Sequence, residues 1–334
     1  MLALLGRRGA GLARAGRAPQ HSAFALVRAI ATGASHGLNV LFVGSDDFSA
    51  DVLGRLEQYS RNKTTAIGVL EVLCQKPFVR FGDNAKVTRV PTHQIAANRG
   101  LQPHLYDTQN GFWWTVPQPK GEEAGRFDIG VVCTGAPTLP QAFVDGFPMG
   151  VVMVHPSLLP KYRGDNPIQS AILAGESETG VSVVEYSATH EFGGRLLAQV
   201  PHELDPGMMY ADVKSGLAHL GGELLAKVLH NLDFVRSQAV EQDESRAVYT
   251  RPMEDCRSRK IVWESMSATD IFNIFRALPA NEPLHTILPH NGKMERMNIL
   301  ELHLPSQLVP PLHPRLATSP PGSMFYNKKT PYIE

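Results

Sequence analysis

The chain has 334 residues, 32 Lys+Arg against 32 Asp+Glu and 43% hydrophobic residues, apolar material enough for packed cores, which excludes a disordered or collagen-like chain. The length suggests two domains rather than one. Its zero net charge averages three unlike zones: five arginines and no Lys or acid in residues 1–45, a net −8 over residues 46–245, and a net +3 over residues 246–334.

Arg7, Arg8, Arg14, Arg17 and Arg28 lie among alanines and leucines in the first zone, a composition that reads as an organelle transit peptide over residues 1–37 and places the protein in the mitochondrial matrix. A plain basic tail is the competing reading. Folded structure is expected to begin at Asn39–Val43, a short apolar run ending at Gly44 that reads as a buried strand. Phe48, Val52, Leu56 and Tyr59 then recur at helical spacing. The turn between them, GSDDFSADVL, has one glycine where a dinucleotide fingerprint needs three, so a Rossmann cofactor is not expected.

Further apolar runs at Ile67–Cys74, Asp128–Cys133 and Val151–Val154 alternate with helical or irregular stretches, which argues for an α/β fold with a doubly wound, mostly parallel sheet. Trp113 and Trp114 read as packing anchors. Residues 179–200 look like two strands joined sharply near Gly193-Gly194, and Val213, Leu217, Leu220, Leu224 and Val228 form one stripe of an amphipathic helix. That helix is expected to close a catalytic domain spanning residues 38–230. Residues 231–250 are polar and read as a linker. Beyond it, Lys260–Trp263 is strand-like, Ser267-Ala-Thr-Asp270 is a capping-box start to a helix, and strands are expected at Met297–Leu302 and Ser323–Tyr326. A small, mainly β domain over residues 251–334 follows.

Cys74, Cys133 and Cys256 lack CxxC spacing, so neither a disulfide framework nor a metal site is expected. No run approaches the roughly 18 consecutive apolar residues of a membrane helix, and no membrane association is expected. The most informative segment runs from Gly150 to Ser170: an apolar strand delivers His155 at its C-terminal end, where open α/β sheets bind ligands. An imidazole there can act as general acid or base near neutral pH.

HPSLLPKYRG, then NPIQ, then ETGVSVVEY resemble the formyltransferases that use 10-formyltetrahydrofolate. GSDDFSADVL and GVVCTGAPTLP resemble that family's first strand-to-helix turn and its folate-side loop, and RKIVWESMSATDIFNIFRAL resembles the opening of the second domain of methionyl-tRNA formyltransferases. The resemblance spans about residues 39–326. It implies 10-formyltetrahydrofolate as formyl donor and initiator Met-tRNA as acceptor, with no metal, on a monomer. His155 and Glu191 would be catalytic, with the carboxylate orienting the imidazole. Ser157, Leu158, Leu159, Pro160 and Gly135 would line the folate. Arg80, Lys86, Arg257, Arg259 and Lys260 would meet the tRNA, with an oligonucleotide-binding (OB)-like second domain that here looks short of a complete barrel.

Two positions depart from the family pattern. Met153 stands where the family has an Asn that contacts the formyl oxygen, and a thioether cannot donate a hydrogen bond. Glu191 stands where the family has Asp, and is one methylene longer. The GAPTLP loop is one residue longer than usual, and the family's basic loop retains only Lys76, Arg80, Lys86 and Arg89. Two alternatives stay open: a catalytically impaired relative that binds folate or tRNA, and a formyltransferase with a small-molecule amine acceptor.

Overall fold

The structure, a computed structural model, describes residues 37–61, 66–77, 79–80, 86–87, 89–107, 115–120, 125–190, 192–250, 259–278, 283–290, 293–302, 324–327 and 330–333. The arginine-rich first segment, Trp113, Trp114, Glu191 and Arg257 lie outside these residues.

Seven strands form one sheet. β1 (Leu38–Val43), β2 (Ile67–Gln75), β5 (Pro103–Tyr106), β6 (Ile129–Val132), β7 (Val151–His155), β8 (Glu178–Glu185) and β9 (Leu196–Glu203) lie in the order β5-β2-β1-β6-β7-β8-β9. The five strands from β5 to β7 run parallel, β8 runs antiparallel to β7, and β9 pairs antiparallel with β8. The expected mostly parallel, doubly wound sheet is therefore present. β3 (Val79–Arg80) and β4 (Lys86–Val87) make a separate antiparallel pair.

The central parallel strands β1, β6 and β7 are almost wholly apolar because both faces are covered. On one face, α1 (Asp47–Arg61), α2 (Pro91–Arg99) and α5 (Tyr210–His230) pack with α4 (Pro167–Leu173) against Val40, Val72, Val131, Val152 and Val154. The α5 stripe is buried at Val213, Leu217, Leu224 and Val228 and partly buried at Leu220. On the other face, Leu41, Val43, Val132, Val151 and Met153 pack against Phe127, Phe147 and α3 (Gln141–Val144). Alternate residues of one strand thus serve two cores.

Residues 231–250 carry α6 (Leu232–Ser237) and a 3-10 turn at Glu244–Arg246, and they pair with the sheet domain at Val240↔Leu196 and Tyr249↔Arg163. Beyond them, α7 (Ala268–Ala277) starts as its capping box requires: Asp270 N–H donates to Ser267 Oγ (3.1 Å) and Ser267 N–H to Asp270 Oδ2 (3.0 Å). Lys260–Trp263, expected as a strand, forms among the described residues only the single bridge Lys260↔His285. The antiparallel pairs β10 (Leu284–His290) with β11 (Lys293–Ile299) and β12 (Met324–Asn327) with β13 (Thr330–Ile333) supply the C-terminal β structure. Ile261, Ile271 and Leu284 form a small core there, over which Trp263 Nε1–H donates to Thr286 Oγ1 at 2.8 Å.

Candidate active site

The strand order reverses between β1 and β6, and the loops after β1, β6 and β7 leave the C-terminal edge of the sheet there, where open α/β sheets bind ligands. Asp46 follows β1, Thr134 and Gly135 follow β6, and His155 ends β7. Thr134 Oγ1–H donates to Asp46 Oδ1 at 2.9 Å, tying the first two loops together. Gly135 has φ +67°, and a Cβ there would stand 2.8 Å from the Asp46 nitrogen, so the turn needs glycine for both conformation and space.

His155 is 2% exposed. Its Nε2 lies 3.0 Å from the Tyr162 carbonyl oxygen, an acceptor only, so Nε2 carries the proton and Nδ1 keeps the basic lone pair. Burial holds the imidazole pKa down at about 4, although the Tyr162 hydrogen bond pulls it up. The ring is therefore neutral at physiological pH. Phe192 packs against it in a tilted contact, 5.2 Å between centroids and 56° between planes. Tyr162 aims its carbonyl from a left-handed backbone, φ 59°, a conformation that costs a non-glycine residue on the order of 1 kcal/mol. Its hydroxyl is held by Glu176 Oε1 at 2.7 Å.

The Ser157–Pro160 loop is fastened from below by two side chains of the β8–β9 hairpin. Ser182 Oγ–H donates to the Ser157 carbonyl (2.6 Å), while Ser182 Oγ accepts from Leu159 N–H (3.1 Å) and from Gln199 Nε2–H (2.8 Å). Gln199 Nε2 also donates to the Leu159 carbonyl at 3.0 Å. Ser157, fully buried, closes the loop on itself by donating to the Lys161 carbonyl at 2.7 Å. Leu159 is buried in the core, whereas Leu158 and Pro160 are half-buried.

Met153 shares the His155 face of β7. It is 4% exposed, in the apolar cluster with Leu139, Leu159 and Tyr186.

The other sequence candidates lie elsewhere. Arg80 and Lys86 are register partners in the β3–β4 pair. Lys260 is exposed, and Arg259 lines a cleft of about 420 Å³ bordered by Tyr210, Arg276 and Leu284. Among the described residues no group of three His, Cys, Asp or Glu side chains could hold a metal ion, and no helix is long and apolar enough to cross a membrane. The thiols of Cys74 and Cys133 are buried, and burial pushes that of Cys74 up to about 12.

Sequence reasoning missed Tyr162, Phe192, Ser182, Gln199 and Gln242. The polar residue Ser182 in the apolar run of β8 was the one local signal of that network.

The sequence profile of the formyl transferase family matches residues 38–229. Human mitochondrial methionyl-tRNA formyltransferase is 27% identical over 291 residues, covering 87% of this chain and 69% of the human protein. Methionyl-tRNA formyltransferase of Allorhizobium ampelinum is 26% identical over 266 residues, 79% of this chain and 78% of its own. In fold, a 4-N formyltransferase from Francisella tularensis superposes with TM-score 0.54 at 16% identity, covering 80% of this chain and 99% of that one. A sugar N-formyltransferase from a Shewanella species gives TM-score 0.52 at 16% identity, covering 79% and 98%.

Proposed function

The chain belongs to the formyl transferase family, and from that premise we propose that it transfers the formyl group of 10-formyltetrahydrofolate to the amino group of methionyl-tRNA, supplying N-formylmethionyl-tRNA to mitochondrial translation. The observation that carries the reading is His155, buried and neutral at the C-terminal edge of the sheet, one strand from its switch point and beside the fastened Ser157–Pro160 loop. The acceptor follows the relatives, which are named for methionyl-tRNA.

The reaction joins the methionyl nitrogen to the formyl carbon and then breaks that carbon's bond to the folate nitrogen. The amine must give up a proton and the folate nitrogen must gain one. Nδ1 of His155 can take the first proton, because Nε2 is committed to the Tyr162 carbonyl. As an imidazolium it then donates from Nδ1, first toward the oxyanion and finally toward the departing nitrogen. With Met153 at the family's Asn position, this imidazolium is the donor proposed for the oxyanion. Glu191 is proposed as the carboxylate that stabilises the imidazolium, Ser157 to Pro160 and Gly135 as the folate wall, and Arg80, Lys86, Arg257, Arg259 and Lys260 as phosphate contacts.

Purified protein given formyl-labelled folate should formylate initiator Met-tRNA, and should do so in preference to an amino-sugar nucleotide. His155→Ala should lower kcat by about 10²–10⁴. Preference for the sugar acceptor would overturn the tRNA assignment, and full activity in the variant would overturn the role of His155.

A further inference from the structure

The strap of residues 240–250 grips the two segments that wall in the His155 ring, and one side chain reaches both. On the first wall, Val248 N–H donates to the Pro160 carbonyl (3.1 Å), Arg163 N–H to the Val248 carbonyl (2.8 Å) and Thr250 N–H to the Arg163 carbonyl (2.8 Å). These bonds hold the backbone on either side of Tyr162, whose carbonyl receives His155 Nε2–H. The Arg163 side chain, only 1% exposed, forks onto Glu244 with two contacts of 2.7 Å. Its Nη2 also donates to Gln242 Oε1 at 2.8 Å.

On the second wall, Gln242 Nε2 donates to the Phe192 carbonyl at 2.8 Å and to the Gly194 carbonyl at 2.7 Å. That turn has no slack, because a Cβ on Gly194 would stand 1.7 Å from the Glu185 carbonyl oxygen. Phe192 is the ring tilted against His155. Gln242 therefore uses its oxygen on the arginine behind one wall and its nitrogen on the turn that forms the other. No apolar substitute can do this, and no charged substitute supplies both a donor and an acceptor.

We propose that Gln242 is a positioning residue for formyl transfer: by bridging Arg163 to the Phe192–Gly194 turn it sets the orientation of the His155 ring, and turnover depends on that bridge. The inference rests on the formyl-transfer reading. Misplacement of a reacting group by about 1 Å costs up to roughly 100-fold in rate, and the loss falls on kcat when substrates still bind in their own subsites.

The test compares Gln242→Leu, which removes both contacts, with Gln242→Glu, which keeps the acceptor for Arg163 and loses the donors to the turn. Ser245→Ala on the neighbouring 3-10 turn is the control. Gln242 is half-buried, so the glutamate variant is expected to fold, as checked by circular dichroism and thermal melting. Both Gln242 variants should lose about 10- to 100-fold in kcat with KM for folate and Met-tRNA within about twofold. In protein labelled at histidine, the His155 ring resonances, assigned by their loss in His155→Ala, should move in both variants as the Phe192 ring current shifts. They should not move in the control. Wild-type kcat in folded Gln242→Glu, or His155 resonances that stay in place, overturns the inference. Wild-type protein inactive toward every amine acceptor would instead overturn the formyl-transfer reading, and the resonances would still report on the bridge.

Discussion

His155 shows how burial alters a residue that the sequence could only place. Water is excluded from the ring, so the charged form is disfavoured in the folded chain, and its pKa falls from 6.5 to about 4. Between these values the unfolded chain holds a proton that the folded chain lacks. Stability from this group is complete above about pH 6.5 and is lost as pH falls toward about 4. Between pH 7 and pH 5 the wild type should lose about 2 kcal/mol more unfolding free energy than His155→Gln. Urea denaturation of both proteins at the two pH values measures the difference, and parallel losses would show that the imidazole is not held neutral by its surroundings. The same burial suits a group that must begin the proposed cycle as a base.

At the scale of elements, the β8–β9 hairpin does for the Ser157–Pro160 loop what β7 does for His155. Ser182 and Gln199, adjacent across the hairpin, face the loop from the sheet and satisfy Leu159 N–H and the Ser157 and Leu159 carbonyls. Ser182→Ala leaves Leu159 N–H and the Ser157 carbonyl without that partner, which costs about 1–3 kcal/mol. The variant should melt several degrees lower, and its KM for the formyl donor should rise more than its KM for Met-tRNA. A variant that melts and binds folate like the wild type would show that the loop keeps its shape without the hairpin. The connection after β8 leaves the sheet beside Val151, where Tyr186 N–H donates to the Val151 carbonyl (2.9 Å), and its Phe192 ring packs against His155.

For the whole molecule, the charge zones acquire separate places. The acidic zone, residues 46–245, coincides closely with the family match over residues 38–229, and the arginine-rich zone precedes it. If residues 1–37 are an import signal, fusing them to a fluorescent protein should direct it to mitochondria, and residues 38–334 alone should remain in the cytosol while keeping formyl transfer in vitro. Cytosolic residence of the first fusion would refute the assignment. Residues 231–250, polar enough to read as a plain linker, contribute Gln242 and Glu244 to the packing behind the site, so the composition of this segment did not disclose its contacts.

What the sequence determined by itself is what periodicity and local chemistry encode. The apolar runs of β1, β2, β6 and β7 announced strands covered on both faces, the α5 stripe announced the helix that covers one face, and the Ser267–Asp270 pair announced the start of α7. The position of His155 at a strand's C-terminal end followed from the same local pattern, and the motif around it carried the family resemblance. Only the tertiary structure decided what surrounds that histidine. Arg163 meets Gln242 and Glu244 across 79 and 81 residues, and Ser182 meets Ser157 across 25. Such contacts join single polar side chains on different elements and repeat at no period, so they leave no pattern along the chain. They exist because the sheet reverses direction after β7 and the strap returns beside it, and this is also why the protonation state of His155 could not be read before its burial was known.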